Sequence, residues 1–271
     1  MFDYDILLLA GMLALAGCFS GFLAGLLGVG GGIVVVPVLF HVLGAFDVQF
    51  DLRMHIAIGT SLGSIVPTSI ISLRSHHRRG AVDWGLLKQW APWIAVGVVI
   101  GSVLASIAKG ATLTLIFAVM ALVIASYLAF ARSDYHLAKS LPVAPWRQAI
   151  CIAIGGFSAM MGIGGGSFTV PTLTLCSYPI RRAVGTASAV GLIIAVPGAI
   201  SFVVTGWGLA GLPETSLGYV NMLAVAMLVP GSLICAPLGA RVAHTVPGGI
   251  LRKFFALFLL ATSMRMFYSL A

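Results

Sequence analysis

Charge is what this chain has least of. Its 271 residues carry seven carboxylates and fifteen lysines and arginines, so 8% of positions are charged while 60% are hydrophobic. Mean hydropathy is +1.10. A soluble domain carries roughly 25% charged residues, and a single core cannot hide this much apolar surface. An ordinary soluble globular protein is excluded. Cysteine is scarce as well. Cys18, Cys151, Cys176 and Cys235 lie inside apolar stretches without metal-ligand spacing, so they read as small packing residues and no metal or other cofactor is expected. Leu15-Ala16-Gly17-Cys18 has the form of a lipoprotein cleavage site. The basic leader of a signal peptide is missing, with Met1-Phe2-Asp3-Tyr4-Asp5 in its place, so residues 6–27 read as a retained segment.

Catalytic signatures are missing too. Gly28 and Gly30 would need a third glycine at position 33 for the dinucleotide fingerprint, and Ile33 stands there; no Walker lysine and no His-Glu-x-x-His occur. His76 and His77 lie in a basic loop, and His55 sits at a segment edge with nothing to mark Ser61 as a nucleophile. No enzyme is expected. Nucleic acid is not an expected partner either: the net charge is +8, but no basic face is interleaved with aromatics.

What is present is a series of apolar stretches near the roughly 20 residues that a spanning helix needs. They cover residues 6–27, 55–73, 84–107, 112–130, 183–204, 217–238 and 251–267. Three blocks recur in order. Gly28-Val29-Gly30-Gly31-Gly32 with Val36-Pro37 returns 134 positions on as Gly162-Ile163-Gly164-Gly165-Gly166 with Val170-Pro171. Ala57-Ile58-Gly59-Thr60-Ser61 returns at an offset of 126 as Ala183-Val184-Gly185-Thr186-Ala187. Val82-Asp83 with Pro92, Gly97, Gly101 and Ala105 returns at 138 as Val220-Asn221 with Pro230, Cys235, Gly239 and Ala243. The chain therefore reads as a first repeat over 1–131, a cytoplasmic linker over 132–147 and a second repeat over 148–271.

The segments after the glycine clusters, 33–43 and 167–178, are too short to cross alone. Irregular backbone at membrane depth survives only where protein or water covers it. Each cluster thus reads as the tip of a re-entrant hairpin or the break in a discontinuous helix, followed by three full spans. The expected fold is an all-α polytopic membrane protein of two repeats. Odd net crossings per half would make them inverted in topology. With both termini outside, the outer loops keep only Arg53, Lys109 and Arg265, and the other twelve of the fifteen basic residues fall inside. That bias is the positive-inside pattern, and it points to a multi-pass protein of a bacterial inner membrane with periplasmic termini.

Inverted repeats with broken helices place their substrate near the midplane between the halves. Glycine lets backbone approach a ligand, and a helix that starts after the cluster offers free N–H groups to an anion. The candidate binding residues are Gly28, Gly30, Gly31, Gly32, Gly162, Gly164, Gly165 and Gly166, with Ser167 and Thr169 adding hydroxyls in the second copy only. Thr60, Ser61, Thr186 and Ser188 are candidate walls of the same cavity. Close helix packing is the competing role for such glycines, and bonding to a neighbouring carbonyl the competing role for the hydroxyls. Pro67, Pro92, Pro197 and Pro230 are expected to kink spans. No Asp or Glu falls near the middle of a span, which weighs against cation transport and a carboxylate proton relay.

The twin glycine motifs at 28–37 and 162–171, the Gly-Thr-Ser and Gly-Thr-Ala-Ser stretches, the block from Pro230 to Ala243, and Leu251-Arg252-Lys253-Phe254-Phe255-Ala256 together resemble the TauE/SafE family of membrane transporters. The likeness spans nearly the whole chain. It implies movement of a small sulfur-containing anion, such as sulfite or an organosulfonate like sulfoacetate, by a secondary transporter. A coupling proton or ion and membrane lipid are the other implied partners; direction and oligomeric state stay open. Cys235 in place of the glycine matched by Gly97, and Asn221 in place of Asp83, depart from internal symmetry. An anion channel of the same architecture and a non-transporting membrane assembly partner are the alternative functions.

Overall fold

The computed structural model describes residues 2–27, 31–130, 140–245 and 248–270. Ten helices follow one another among the described residues: α1 Phe2–Leu27, α2 Gly32–Ala45, α3 Phe50–Arg78, α4 Trp84–Ile107, α5 Gly110–Phe130, α6 Trp146–Met161, α7 Gly166–Leu175, α8 Ile180–Thr205, α9 Met222–Thr245 and α10 Gly248–Tyr268. Strands β1 Ser216–Leu217 and β2 Val220–Asn221 form one short antiparallel hairpin before α9. The protein is an all-α polytopic membrane protein. By length and composition α3, α4, α5, α8 and residues Met222–Gly239 of α9 can each cross a bilayer. Their outer faces are apolar: Val99, Val103 and Ile107 on α4, and Val123 on α5, are half or more exposed, where lipid rather than water is the matching solvent.

The short segments are short helices. At 1.5 Å per residue, the 14 residues of α2 rise about 21 Å and the 10 of α7 about 15 Å, against a hydrocarbon core of roughly 30 Å. Gly162 stops α6 in the left-handed region at φ 65°, and its N–H and that of Ile163 turn back to Ala159 O and Ser158 O. That is a glycine C-terminal stop, which a β-carbon would strain. One expected boundary is corrected. The apolar run at 217–238 is not helical from its start, because Gly218 takes φ 56° and turns the chain into the hairpin, so α9 begins at Met222. The four prolines expected to kink spans all lie inside helices, in α3, α4, α8 and α9.

Helix pairing follows the recurring blocks. α1 packs on α9 and α6 on α4; α3 packs on α8, and α5 on α10. If α1 is exchanged for α6, α3 for α8, α4 for α9 and α5 for α10, every one of these pairs returns as a pair. The tight seams are lined with glycine. Gly17, Gly21 and Gly25 abut the backbone of Leu228, Ser232 and Ala236, and Gly97, Gly101 and Gly155 abut that of Ile152, Gly156 and Ile94. A β-carbon at any of these would overlap the facing main chain, so the sequence buys close approach with small residues here.

Candidate functional site

The two glycine clusters meet. Gly31 precedes α2 and Gly165 precedes α7, both in right-handed conformation, and as glycines they bring no capping side chain of their own. Gly32 faces the other cluster: a β-carbon on it would lie 2.5 Å from Gly162 O and 3.0 Å from Ile163 Cα. Ser61 on α3 donates its hydroxyl to the same Gly162 carbonyl at 2.7 Å. The start of α2, the α6–α7 turn and the middle of α3 therefore converge on one point.

The cluster glycines divide by their surroundings. Gly32, Gly162 and Gly165 touch main chain, the last against Val190 and Gly191 of α8, so these positions are committed to packing. Gly31 and Gly164 have room. The nearest atom to a β-carbon is Ser20 Oγ at 3.4 Å for Gly31 and an Ile65 methyl at 3.5 Å for Gly164. Gly166 and Ser167 are buried in the first turn of α7. Gly28 and Gly30 lie outside the described residues. Thr169 is fully buried, and its hydroxyl has no hydrogen-bond partner among the described residues. The Ser158 hydroxyl, on the other side of the 162–166 cluster, is buried and likewise has no partner among the described residues. A buried hydroxyl without a partner is uncommon and calls for an explanation. Ser158 was not among the expected residues; its position four before Gly162 was the only signal for it.

The wall hydroxyls are already engaged, in a reciprocal way. The Asp83 N–H donates to Thr186 Oγ1 at 3.0 Å, and the Asn221 N–H donates to Thr60 Oγ1 at 2.9 Å. Asp83 then caps α4 through Leu86 N at 2.9 Å, as Asn221 caps the start of α9 through Ala224 N at 2.8 Å. One residue before each threonine a glycine lets the helix touch the facing loop: Gly185 abuts Ala81, and Gly59 abuts Tyr219. Ser188 instead bonds back to Gly185 O within its own helix. The threonines keep a hydroxyl hydrogen for a second partner.

The two ends differ in the charge of the capping residue. Tyr178, between α7 and α8, donates to Asp83 Oδ2 at 2.5 Å. That bond, followed by the Leu86 N–H, holds the Asp83 carboxyl below its usual range, with Arg182 adding a smaller pull. Burial and then the Asp83 bond hold the Tyr178 phenol up at about 12. At the other end Asn221 is neutral, and its amide donates to Thr215 and Ser216 in its own hairpin. A cavity of about 390 Å³ opens beside it, with Leu39, Phe46, Asp47, Thr215 and Asn221 among its walls. One end is cross-braced through a carboxylate, and the other is hollow.

His55 spans two carbonyls, with Nδ1 3.0 Å from Asp51 O and Nε2 3.1 Å from Ala105 O, and stacks on Tyr219. Those contacts tie α3 to the end of α4 and to the hairpin.

The sequence profile of the family described as Sulfite exporter TauE/SafE matches residues 13–266. The chain is similar to a probable membrane transporter protein of Haemophilus influenzae, 37% identical over 98% of this chain and 99% of that one. It is also similar to a probable membrane transporter protein of Methanocaldococcus jannaschii, 28% identical over 84% of each chain. A third relative is the probable membrane transporter protein YunE of Bacillus subtilis, 26% identical over 85% of this chain and 87% of that one. No solved structure matches.

Proposed function

This chain belongs to the sulfite exporter TauE/SafE family and is a membrane transporter, and on that premise we propose that it is a secondary transporter of a small anion. The substrate is sulfite or an organosulfonate such as sulfoacetate, carried by alternating access between two inverted halves. The observation that carries the reading is the matched pair of helix starts. α2 begins after Gly31 and α7 after Gly165, neither of which brings a capping side chain, near the point where Gly32 meets Gly162. Paired N-termini bring N–H groups and two partial positive charges together without any cationic side chain, which suits a small oxyanion. The hydroxyls of Ser158 and Thr169, without a partner among the described residues, flank the same cluster and would donate to the anion.

The reciprocal hydrogen bonds support the two-halves reading, because each block of one half is held by its counterpart's partner in the other. The contrast between ends supports alternating access. With both termini in the periplasm, the Asp83 end, braced through a carboxylate, faces the cytoplasm, and the Asn221 end with its cavity faces out. Purified protein in liposomes tests the whole reading. Saturable flux of sulfite or sulfoacetate, altered by an imposed pH gradient, is expected. Flux that fails to saturate at channel-like rates would replace the carrier, and no flux of either anion would remove the substrate assignment.

A further inference from the structure

We propose that Cys18 and Cys235 form an oxidisable dithiol whose disulfide would join α1 to α9 and stop these helices from moving past each other. The two residues lie on different helices of the tight α1–α9 seam, each half-buried, and their thiols are within hydrogen-bonding reach of each other. The two backbones run close together there. A β-carbon on Gly231, one turn before Cys235, would stand 2.8 Å from the Cys18 amide nitrogen. Ser20 and Ser232 hydroxyls meet at 3.2 Å in the same seam, and Ser232 donates to Gly17 O at 3.0 Å.

The sister seam gives a second, independent view of the spacing. Under the recurring offsets of 134 and 138, Cys18 corresponds to Ile152 and Cys235 to Gly97. Gly97 abuts the main chain of Ile152 directly. The two cysteines thus occupy the position pair equivalent to one where the α4–α6 seam brings main chains into contact, so each reaches toward the facing helix at a close approach. Glycine at 97 makes the α4–α6 seam unlockable, so oxidation would act on one seam alone.

The chemistry closes with a hydroperoxide as oxidant, which is uncharged and enters the bilayer. One sulfur attacks the peroxide oxygen, breaking the O–O bond and leaving a sulfenic acid and an alcohol. The second sulfur then attacks the first and displaces its hydroxyl, which leaves as water with the remaining thiol proton. Two electrons pass from the thiols to the peroxide, and a small dithiol such as dithiothreitol reverses the step by exchange.

The linkage stands without the transport reading, whereas the loss of flux rests on it. Full-length protein in liposomes would be treated with tert-butyl hydroperoxide and its peptides examined by mass spectrometry. The expected result is a Cys18–Cys235 cross-linked peptide, with a severalfold fall in sulfite flux that dithiothreitol restores. Cys18→Ser and Cys235→Ser should each keep basal flux and lose both effects. Recovery of both thiols in alkylated form after oxidation would overturn the proposal, as would equal peroxide sensitivity in the serine variants. A cross-link without change in flux would overturn the lock. Absence of sulfite flux before oxidation would count against the substrate alone, and the cross-linked peptide would then decide the dithiol.

Discussion

Removing one threonine hydroxyl at a time should open the two ends in opposite directions. Thr60 is fully buried and Thr186 nearly so, and each accepts the N–H of a capping residue across the molecule. Valine keeps the shape of threonine and removes the acceptor, so a main-chain N–H is left unsatisfied. Such a loss costs about 1–3 kcal/mol. A middle value of about 2 kcal/mol is roughly a 30-fold change in an equilibrium between braced and released loops. Thr186→Val should therefore release the Asp83 end, and Thr60→Val the Asn221 end. Single-cysteine reporters in a cysteine-free background would read this with a membrane-impermeant maleimide. Val82→Cys and Leu212→Cys suit the two ends, since both side chains are partly buried against the core. Thr186→Val should speed labelling at Val82→Cys by an order of magnitude or more and leave Leu212→Cys unchanged or slower; Thr60→Val should do the reverse. Acceleration of both reporters by both variants would mean general loosening and would refute the idea of two separate braces.

Two further expectations use contrasts within the same region. Gly31→Ala adds a methyl where the nearest atom is 3.4 Å away, whereas Gly32→Ala drives one into Gly162 O. The first should keep the thermal stability of wild type and lower sulfite flux severalfold; the second should lose stability as well, by about 1–3 kcal/mol. Wild-type flux in Gly31→Ala would place the anion elsewhere. The Asp83 carboxyl is held below its ordinary value of 3.8, so the stability it contributes is fully present above the unfolded pKa and is lost only as pH falls through the lower folded one. Asp83→Asn should thus scale flux by one constant factor, about fivefold if the partly exposed Tyr178 bond is worth about 1 kcal/mol. The shape of the profile between pH 5 and 8 should not change, and a changed slope in that range would contradict the assignment.

How much of this was readable beforehand depended on how local the cause was. Long apolar runs announce spans because the bilayer acts on each run by itself, and the glycine-rich breaks announced where α2 and α7 start. Paired seams were less legible: Gly17, Gly21 and Gly25 share the i, i+4 spacing of a helix face, but their partners lie about 210 positions away. Asp83 and Asn221 were visible as matched positions and not as caps that reach across to Thr186 and Thr60, since no short-range pattern encodes a partner 103 or 161 residues distant. The hairpin before α9 was hidden by its own composition, because Leu217, Tyr219 and Val220 are apolar in a turn as in a span. Composition was also blind to the difference between Gly31 and Gly32, where only the third dimension separates space from contact.

That last difference bears on how such a molecule would move. Helices that interdigitate side chains must lift ridges out of grooves before they slide. At the seams between α1 and α9 and between α4 and α6, backbone faces backbone through glycine, so a small shear has few side chains to repack. Both seams join an element from one of the two proposed repeats to an element from the other. Opening one end while closing the other requires displacement along such seams, and the hydroxyl braces at Thr60 and Thr186 are what would have to let go first. The cost of each brace, about 1–3 kcal/mol, is of the size that a bound anion's preference for one conformation can outweigh. A carrier of the kind proposed above would need smooth seams held by weak, separately breakable braces, and the glycines and threonines of the recurring blocks are placed to act as both.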